Sequence, residues 1–382
     1  MEMQDYRNTH RGANHRSACL QGDDFIRARL LRHFPELVAS LGGKSAEILE
    51  TAGIEPFGCE EENAVTCAQW ILAMETAAAR LGLPDFGMRL ARRQGGQGAH
   101  AVVGRAMRHS PTFGAAIDQA VRHSGAHSRA SRIWRGQSAS RDHVFVGHDL
   151  LISGHSRRSQ SIEQLLLLGH LGAQALTSGR VRARAIHLRH NAIASPGTYR
   201  RNFGCDVRFV RNEDGIVFRA DDMACPVHEA DRHELTRAVA HLHKNHGGSP
   251  HPASMQVRAI IMPRLWMNGC NTELVASLLG MHPRTLNRRL REEGLTFQRI
   301  KDEVRADRLL FYLEQTDLPI CEISQKLGFA EQSALSHFSR QVFAMSPTDL
   351  RTAASGRPSN HGNVATGQGV SPRIDSANCK SA

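Results

Sequence analysis

Residues 271–294, NTELVASLLGMHPRTLNRRLREEG, decide how the C-terminal third of this chain folds. Apolar Leu274, Val275, Leu278 and Leu279 recur at helical spacing after Thr272, a residue type suited to capping a helix start. Ala276 is small, so a second helix can cross closely. Gly280 fits the left-handed residue that ends a helix, Met281-His282-Pro283 makes the turn, and Pro283 suits the next helix's first position. That helix is expected to run to Glu293 and stop at Gly294, with Leu286 and Leu290 turned inward. Arg284, Thr285, Asn287, Arg288 and Arg291 are left to reach base edges or phosphates in a DNA major groove.

The pattern recurs. Val275, Leu279, Gly280 and Met281 correspond to Ile323, Leu327, Gly328 and Phe329, each 48 residues later. Thr316 or Asp317 is expected to cap a helix beginning near Pro319, with Ile320, Ile323 and Leu327 as its core face. The following helix, near Glu331–Phe343, exposes Gln332, Ser333, His337 and Arg340. Between the two units, Phe297–Gln315 is one unbroken helical pattern through Ile300, Val304, Leu309, Phe311, Tyr312 and Leu313. Nineteen residues at ~1.5 Å each span about 28 Å, close to the ~34 Å of one turn of B-DNA. A rod of that length can hold two recognition helices for successive major grooves, where a single unit would need a dimer.

Charge agrees without deciding. The 382 residues carry 48 basic and 37 acidic side chains, a net +11, which suits a polyanionic partner such as nucleic acid or an anionic membrane surface. Residues 250–352 hold thirteen basic and eleven acidic residues, so the positive charge there is local: Arg284, Arg288, Arg289 and Arg291 share one short helix with Glu292. No apolar stretch approaches the ~20 residues of a membrane span, and the start of the chain, with Asp5, Arg7 and Arg11, lacks the apolar core of a secretory signal. A cytoplasmic location and no membrane partner are expected. Eight scattered cysteines without a Cys-x-x-Cys pair suit reduced thiols.

The chain before these units has a different character. Helices are expected over Phe25–Leu41, Ala64–Leu81, residues 111–122 with Pro111 in the first turn, and Ile162–Leu176. Strands are expected at His143–Val146 and Ala185–Arg189, and Asp214-Gly215 predicts a hairpin between Val207–Val210 and Ile216–Phe218. The fold class that follows is an α+β regulatory domain, then an all-α domain with two helix-turn-helix units joined by a long helix. The expected divisions are a disordered extension (1–20), the regulatory domain (21–243), a flexible linker (244–254), the DNA-binding domain (255–352) and a disordered tail (353–382).

Other constellations are weaker. Gly42-Gly43-Lys44-Ser45 would be a phosphate loop only with glycine at 38, where Val38 stands. His228 and His233 are five apart, about 140° around a helix, so they do not form a zinc-protease pair. His241, His243, His246 and His251 straddle a helix end and a linker, and His123 and His127 lack a third ligand. Ser110, Ser153 and Ser156 lack nucleophile-elbow spacing. Neither a catalytic site, a metal site nor a cofactor is expected.

The segments Leu279-Gly-Met-His-Pro-Arg-Thr-Leu-Asn-Arg-Arg-Leu, Asp317-Leu-Pro-Ile-Cys-Glu-Ile-Ser, Leu327-Gly-Phe-Ala-Glu-Gln-Ser-Ala-Leu and Met345-Ser-Pro resemble the AraC/XylS family of bacterial transcription regulators. The resemblance covers about 100 residues. It implies base contacts from Arg284, Asn287 and Arg288 in the first unit and from Gln332, Ser333 and His337 in the second. More distantly, Leu83-Pro-Asp-Phe-Gly-Met-Arg-Leu, Ser110-Pro-Thr-Phe and Tyr199-Arg-Arg-Asn-Phe-Gly-Cys-Asp-Val-Arg-Phe resemble the arabinose-binding-like domain of the ornithine-utilisation and virulence-regulator branch. That implies a domain that binds a small-molecule effector, left unidentified, and often dimerises. Three positions depart from the family: His282 replaces a capping serine, Ala344 a glycine, and Ser339 an aromatic residue.

The expected function is a ligand-responsive regulator, an activator, that binds double-stranded DNA as a homodimer and meets RNA polymerase. Two alternatives belong to other classes. One is a DNA-repair alkyl-transfer enzyme with a DNA-reading module, which needs an activated cysteine. The other is an interaction protein with a degenerate DNA module.

Overall fold

The computed structural model describes residues 25–55, 64–96, 101–128, 130–137, 141–152, 157–246, 252–267 and 270–354. The expected N-terminal extension, residues 247–251 of the expected linker, and the tail from 355 onward lie outside the described residues.

The apolar opening does not form the single helix its spacing predicts. Phe25–Arg27 is a strand (β1), Ala28–Leu31 a 3-10 turn, and the helix α1 begins only at Phe34 and ends at Ser40. His33, at φ 62° in the left-handed region, breaks the run. Leu30, Leu31 and Phe34 are still buried together, so burial was readable there while the backbone path was not. After α2 (Ser45–Thr51), Ala64–Thr66 forms β2, antiparallel to β1. The predicted helix from Ala64 therefore starts at Cys67 (α3, Cys67–Leu81), where Thr66 and Gln69 close a reciprocal capping box. Next come α4 (Phe86–Gln94), α5 (Ala101–Arg108) and α6 (Phe113–Arg122). The Thr112 side chain caps α6 by accepting from the Ala115 amide, which leaves Pro111 ahead of the helix instead of in its first turn.

A five-stranded sheet follows. Its strands are β3 (Ser131–Gln137), β4 (His143–Leu150), β5 (Ala185–His187), β6 (Asp206–Arg208) and β7 (Gly215–Arg219), in the order β3-β4-β7-β5-β6. The predicted hairpin at Asp214-Gly215 is absent. β7 lies between β4 and β5, with Val146 opposite Ile216 and Ile186 opposite Ile216, while β6 runs parallel to β5 on the sheet edge. The chain must cross β5 to pass from β6 to β7, which no two-residue turn can do. Asp214 is instead buried, and its carboxylate accepts from the Arg189 amide at 2.8 Å.

Against this sheet lies α7 (Ser159–Leu176), the strongly apolar helix expected from the sequence. Every residue from Ser159 to Leu168 is buried, as befits a helix enclosed on all sides. It packs on α3 and α4, and the Gly87 amide of α4 donates to Gln160 Oε1. A Cβ at Gly87 would fall on the Gln160 carbonyl. Two polar residues of α7 find partners across the core: Trp70 Nε1 donates to Gln164 Oε1, and the Tyr199 hydroxyl donates to Glu163 Oε1 at 2.6 Å. Burial holds the Glu163 carboxyl well above the usual carboxylate range. Helices α8 (Pro196–Phe203) and α9 (Arg232–His246) complete this half, and α9 covers the first residues of the expected linker.

The C-terminal half is helical throughout, as expected: α10 (Ala253–Ile261), α11 (Thr272–Leu278), α12 (Pro283–Glu292), α13 (Phe297–Gln315), α14 (Ile320–Lys326), α15 (Gln332–Phe343) and α16 (Pro347–Ala354). The rod α13 has the predicted bounds and buries Ile300, Val304, Leu309, Phe311, Tyr312 and Leu313. It also buries Arg308, which the sequence reading passed over.

The two halves are docked on each other as well as joined by the linker. Leu151, at the end of β4, is buried in the C-terminal apolar cluster. Arg189 is wholly buried, paired to Asp149 at 2.8 Å and Asp214 at 3.4 Å, and its Nη1 reaches Met262 Sδ. Arg132 Nη1 donates to the Ala259 carbonyl, the Asn191 amide donates to the Gln315 carbonyl, and Asn191 Nδ2 donates to Asp317.

Two glycines sit at equivalent turns, Gly280 at φ 64° and Gly328 at φ 70°. A Cβ at Gly280 meets open space, whereas at Gly328 it would fall on the Leu265 carbonyl oxygen. Gly280→Ala should therefore cost about 1–2 kcal/mol of left-handed strain. Gly328→Ala carries the same strain plus a backbone collision. Urea denaturation of both variants should place Gly328→Ala clearly lower; equal midpoints would contradict this packing.

Candidate nucleic-acid interface

Each unit is a short helix, a glycine turn and a second, outward-facing helix. In the first, the cap is Asn271, one residue before the Thr272 expected: its side chain accepts from the Leu274 amide at 2.9 Å. Val275 and Ala276 are buried, but Leu278 is 50% exposed and does not belong to the core face proposed for it. The turn places His282 as N-cap of α12. Its Nδ1 accepts from the Arg284 amide at 3.2 Å, so histidine does the work of the capping serine it replaces. Pro283 takes the first helical position, and Leu286 and Leu290 are fully buried.

That burial fixes the outer face. Arg284, Arg288 and Arg291 are exposed, and Thr285 and Asn287 are half-buried beside them. Arg288 lies 3.7 Å from Glu292, an exposed pair that salt and solvent screen, so the guanidinium stays available to another anion. Glu293, which caps the far end of α12, turns back to accept from the Ala253 and Ser254 amides. One acidic group of the unit thus serves the N-terminus of α10.

In the second unit neither Thr316 nor Asp317 caps α14. Pro319 stands at the cap, Thr316 ends α13, and Asp317 is held by Asn191. Ile323 and Leu327 are fully buried. On α15, Gln332, Ser333, His337 and Arg340 are all exposed, while Leu335, Phe338 and Ser339 are buried. Ser339 occupies the aromatic position of the family pattern without changing the register, because its hydroxyl donates to the Met345 carbonyl and so satisfies itself inside. The start of α15 is acidic: Glu331 is its cap residue, and Ser333 Oγ donates to the Glu331 carboxylate. The two outward helices therefore differ in charge, with four arginines on α12 and Arg340 on α15.

Both units are anchored to the rod by basic side chains that meet main-chain carbonyls. Lys301 Nζ donates to the Cys270 carbonyl, just before the first unit. Arg305 donates to the Leu327 and Gly328 carbonyls at the second turn, and its guanidinium lies 4.5 Å from the Phe329 ring centre. Burial lowers the pKa of both cations from their ordinary values, which reflects how far they are drawn out of water.

The regulatory half contains a small apolar cavity of about 100 Å³. Phe113, Ile117, Leu165, Leu168, Ile216 and Phe218 line it, with Arg108 and Glu229 at its edge, 3.9 Å apart. Among the described residues no group of three or more His, Cys, Asp or Glu side chains could hold a metal ion. Burial pushes the Cys205 thiol up to about 11 and raises that of Cys270, the opposite of an activated nucleophile. No described helix is long and apolar enough to cross a membrane.

Two turn-linked helix pairs, each showing a polar outer face and both fixed to one rod, define a DNA-binding transcription regulator. Residues 42–227 match the arabinose-binding N-terminal domain of AraC transcription regulators, and residues 275–353 match a helix-turn-helix domain. The chain is 31% identical to the HTH-type transcriptional regulator VirS of Mycobacterium tuberculosis over 327 residues, which cover 85% of this chain and 96% of that protein. Two proteins of Pseudomonas aeruginosa match over shorter spans. The HTH-type transcriptional regulator VqsM is 35% identical over 78 residues, covering 20% of this chain and 24% of that protein. The ornithine utilization regulator is 37% identical over 81 residues, covering 21% and 24%. The chain belongs to the AraC family of bacterial transcription regulators. These relatives are regulators and not enzymes, which sets the alkyl-transfer alternative aside.

Ala344 ends α15 at φ 56°, the left-handed conformation in which the family carries glycine. Ala344→Gly removes roughly 1–2 kcal/mol of strain and adds back about 0.5–1 in unfolded-chain entropy. A net gain near 0.5–1 kcal/mol should appear as a higher melting temperature. An unchanged or lower one would show that the residue is unstrained.

Proposed function

We propose that the chain reads two adjacent major grooves of one duplex, through α12 and α15, and that a small-molecule effector bound in the regulatory half biases this binding toward activation. The observation that supports this most directly is the anchoring of both units to α13 by Lys301 and Arg305. A rod of nineteen residues, about 28 Å long, suits helices one DNA turn apart. Arg284, Asn287 and Arg288 are proposed to reach base edges, with Thr285 and Arg291 beside them. Gln332, Ser333, His337 and Arg340 play the corresponding part in the second unit. The charge difference between α12 and α15 makes the first unit the stronger anchor. The effector fits the apolar cavity between α6, α7 and the sheet, which favours an uncharged, mainly hydrocarbon molecule. Dimerisation through the regulatory half and contact with RNA polymerase complete the reading.

The test is a footprint of the purified full chain on the DNA upstream of its own gene and its neighbours. Two protected patches about one helical turn apart are expected; no protection at any salt concentration would end the proposal. Within a protected site, Arg288→Ala should cost ~1–3 kcal/mol and relax the preference at one base pair. A uniform loss on every sequence, with a salt slope smaller by about one, would reassign Arg288 to a phosphate.

A further inference from the structure

The start of α15 carries a carboxylate where a helix that reads DNA has most reason to avoid one. Glu331 is exposed and stands at the cap position, yet its side chain accepts from no amide of the first turn. Glutamate is one carbon longer than aspartate, which closes that bond well. The main chain beneath it is fixed. Ser324 of α14, 2% exposed, donates its hydroxyl to the Glu331 carbonyl at 3.1 Å, and the Leu335 amide closes the first helical turn on the same carbonyl. The carboxylate itself is steered by Ser333, whose Oγ donates to it at 3.1 Å. Position and direction of this acid are therefore both built into the unit.

The other acids on the outward helices are answered by a cation or by amides. Glu292 lies 3.7 Å from Arg288, and Glu293 accepts from the Ala253 and Ser254 amides. Among the described residues no Lys, Arg or His forms an ion pair with Glu331. The Ser333 hydroxyl is neutral and takes one of the roughly four lone-pair sites of a carboxylate. The remaining sites face whatever α15 meets. Phosphates repel such a group, and they repel it equally on every sequence. What offsets that repulsion in a major groove is a donor on a base edge, and two bases present one: cytosine at N4 and adenine at N6. In adenine the amino group sits beside N7, an acceptor that repels the second carboxylate oxygen. Cytosine has no such neighbour on its own edge.

We propose that Glu331 is a specificity-determining residue of the second unit, accepting from the N4 amino group of a cytosine, with Ser333 holding the carboxylate in place for that contact. The proposal rests on the two-groove reading above and adds to it one residue and one base. Its logic is discrimination by penalty: the acid weakens binding at every site that lacks the cytosine and is compensated at the site that has it. The two helices then divide the work. The four arginines of α12 supply adhesion, and the acidic start of α15 supplies rejection.

The test selects duplexes from a randomised pool with the full-length protein, then measures affinity for the selected site with each base pair of the second half replaced in turn. A cytosine is expected in that half, and any other base there should bind at least five-fold more weakly. Glu331→Ala should erase this preference and bind unrelated DNA at least two-fold more tightly. Glu331→Gln should move the preference toward adenine, because glutamine can accept from N6 and donate to N7. Glu331 is exposed, so neither substitution touches the core. If Glu331→Ala tightens binding to every duplex by one common factor, the carboxylate only repels and the proposal fails. It fails equally if the wild type selects no cytosine in the second half, or if Glu331→Gln keeps the wild-type preference. A wild type that selects no sequence in either half sinks the two-groove reading as well; selection of both halves with a pattern indifferent to Glu331 sinks this proposal alone.

Discussion

The helix α13 is the constraint on which the rest of the structure depends. It has to satisfy three surfaces at once. Ile300, Val304 and Leu309 bury against the helices around them, Lys301 and Arg305 hold the carbonyls of the two units, and Gln315 at its end takes the Asn191 amide of the regulatory half. A helix nineteen residues long is not stable by propensity alone; its packed sides supply the stability. Each unit's orientation is thereby set by contacts to the same rigid body. Two outward helices positioned independently would lose entropy twice on meeting DNA, whereas two fixed to one rod lose most of it at folding.

The docking interface has a different balance. It is largely polar, with Arg189, Asp149 and Asp214 as a buried network, and such networks add little net stability once desolvation is counted. Removing one partner is expensive all the same, because the other is left charged and buried. An interface of this type specifies one arrangement sharply while adding little to its depth. A regulator needs that property: an effector can shift a population only by a difference in affinity between two states, and a shallow, well-defined docked state is one that modest binding energies can move.

How much of this was legible in the sequence follows from how local each signal is. The helix-turn-helix pairs were legible because caps, glycine turns and i, i+4 leucines act within one or two turns of chain; Gly280, Pro283 and Leu286 sit where spacing alone put them. The misses there were single residues, such as Asn271 capping in place of Thr272 and Leu278 turned to solvent. The sheet was not legible. β5 and β6 have three residues each, too short for alternation to show, and Asp214-Gly215 imitates a turn where the chain in fact crosses β5 to pass from β6 to β7. Ile26, Leu30, Leu31 and Phe34 are buried as an apolar run should be, yet the predicted helix is lost, with a left-handed His33 just before Phe34.

The interface left one trace in the sequence. Arg308 falls on the buried side of α13, four residues after Val304 and three before Phe311, where the periodicity calls for an apolar side chain. A charged residue in a core register marks either a partner outside the helix or a fault in the pattern, and the pattern here has none. The pattern of α13 is legible from Ile300, Val304, Leu309, Phe311, Tyr312 and Leu313, and Arg308 was passed over. With the regulatory half in place, Asp214 comes near enough to favour its charge, while also pairing with Arg189 at 3.4 Å. The rod thus carries, at the junction of the halves, a buried cation held by the Tyr312 hydroxyl and the rings of Phe311 and Tyr312.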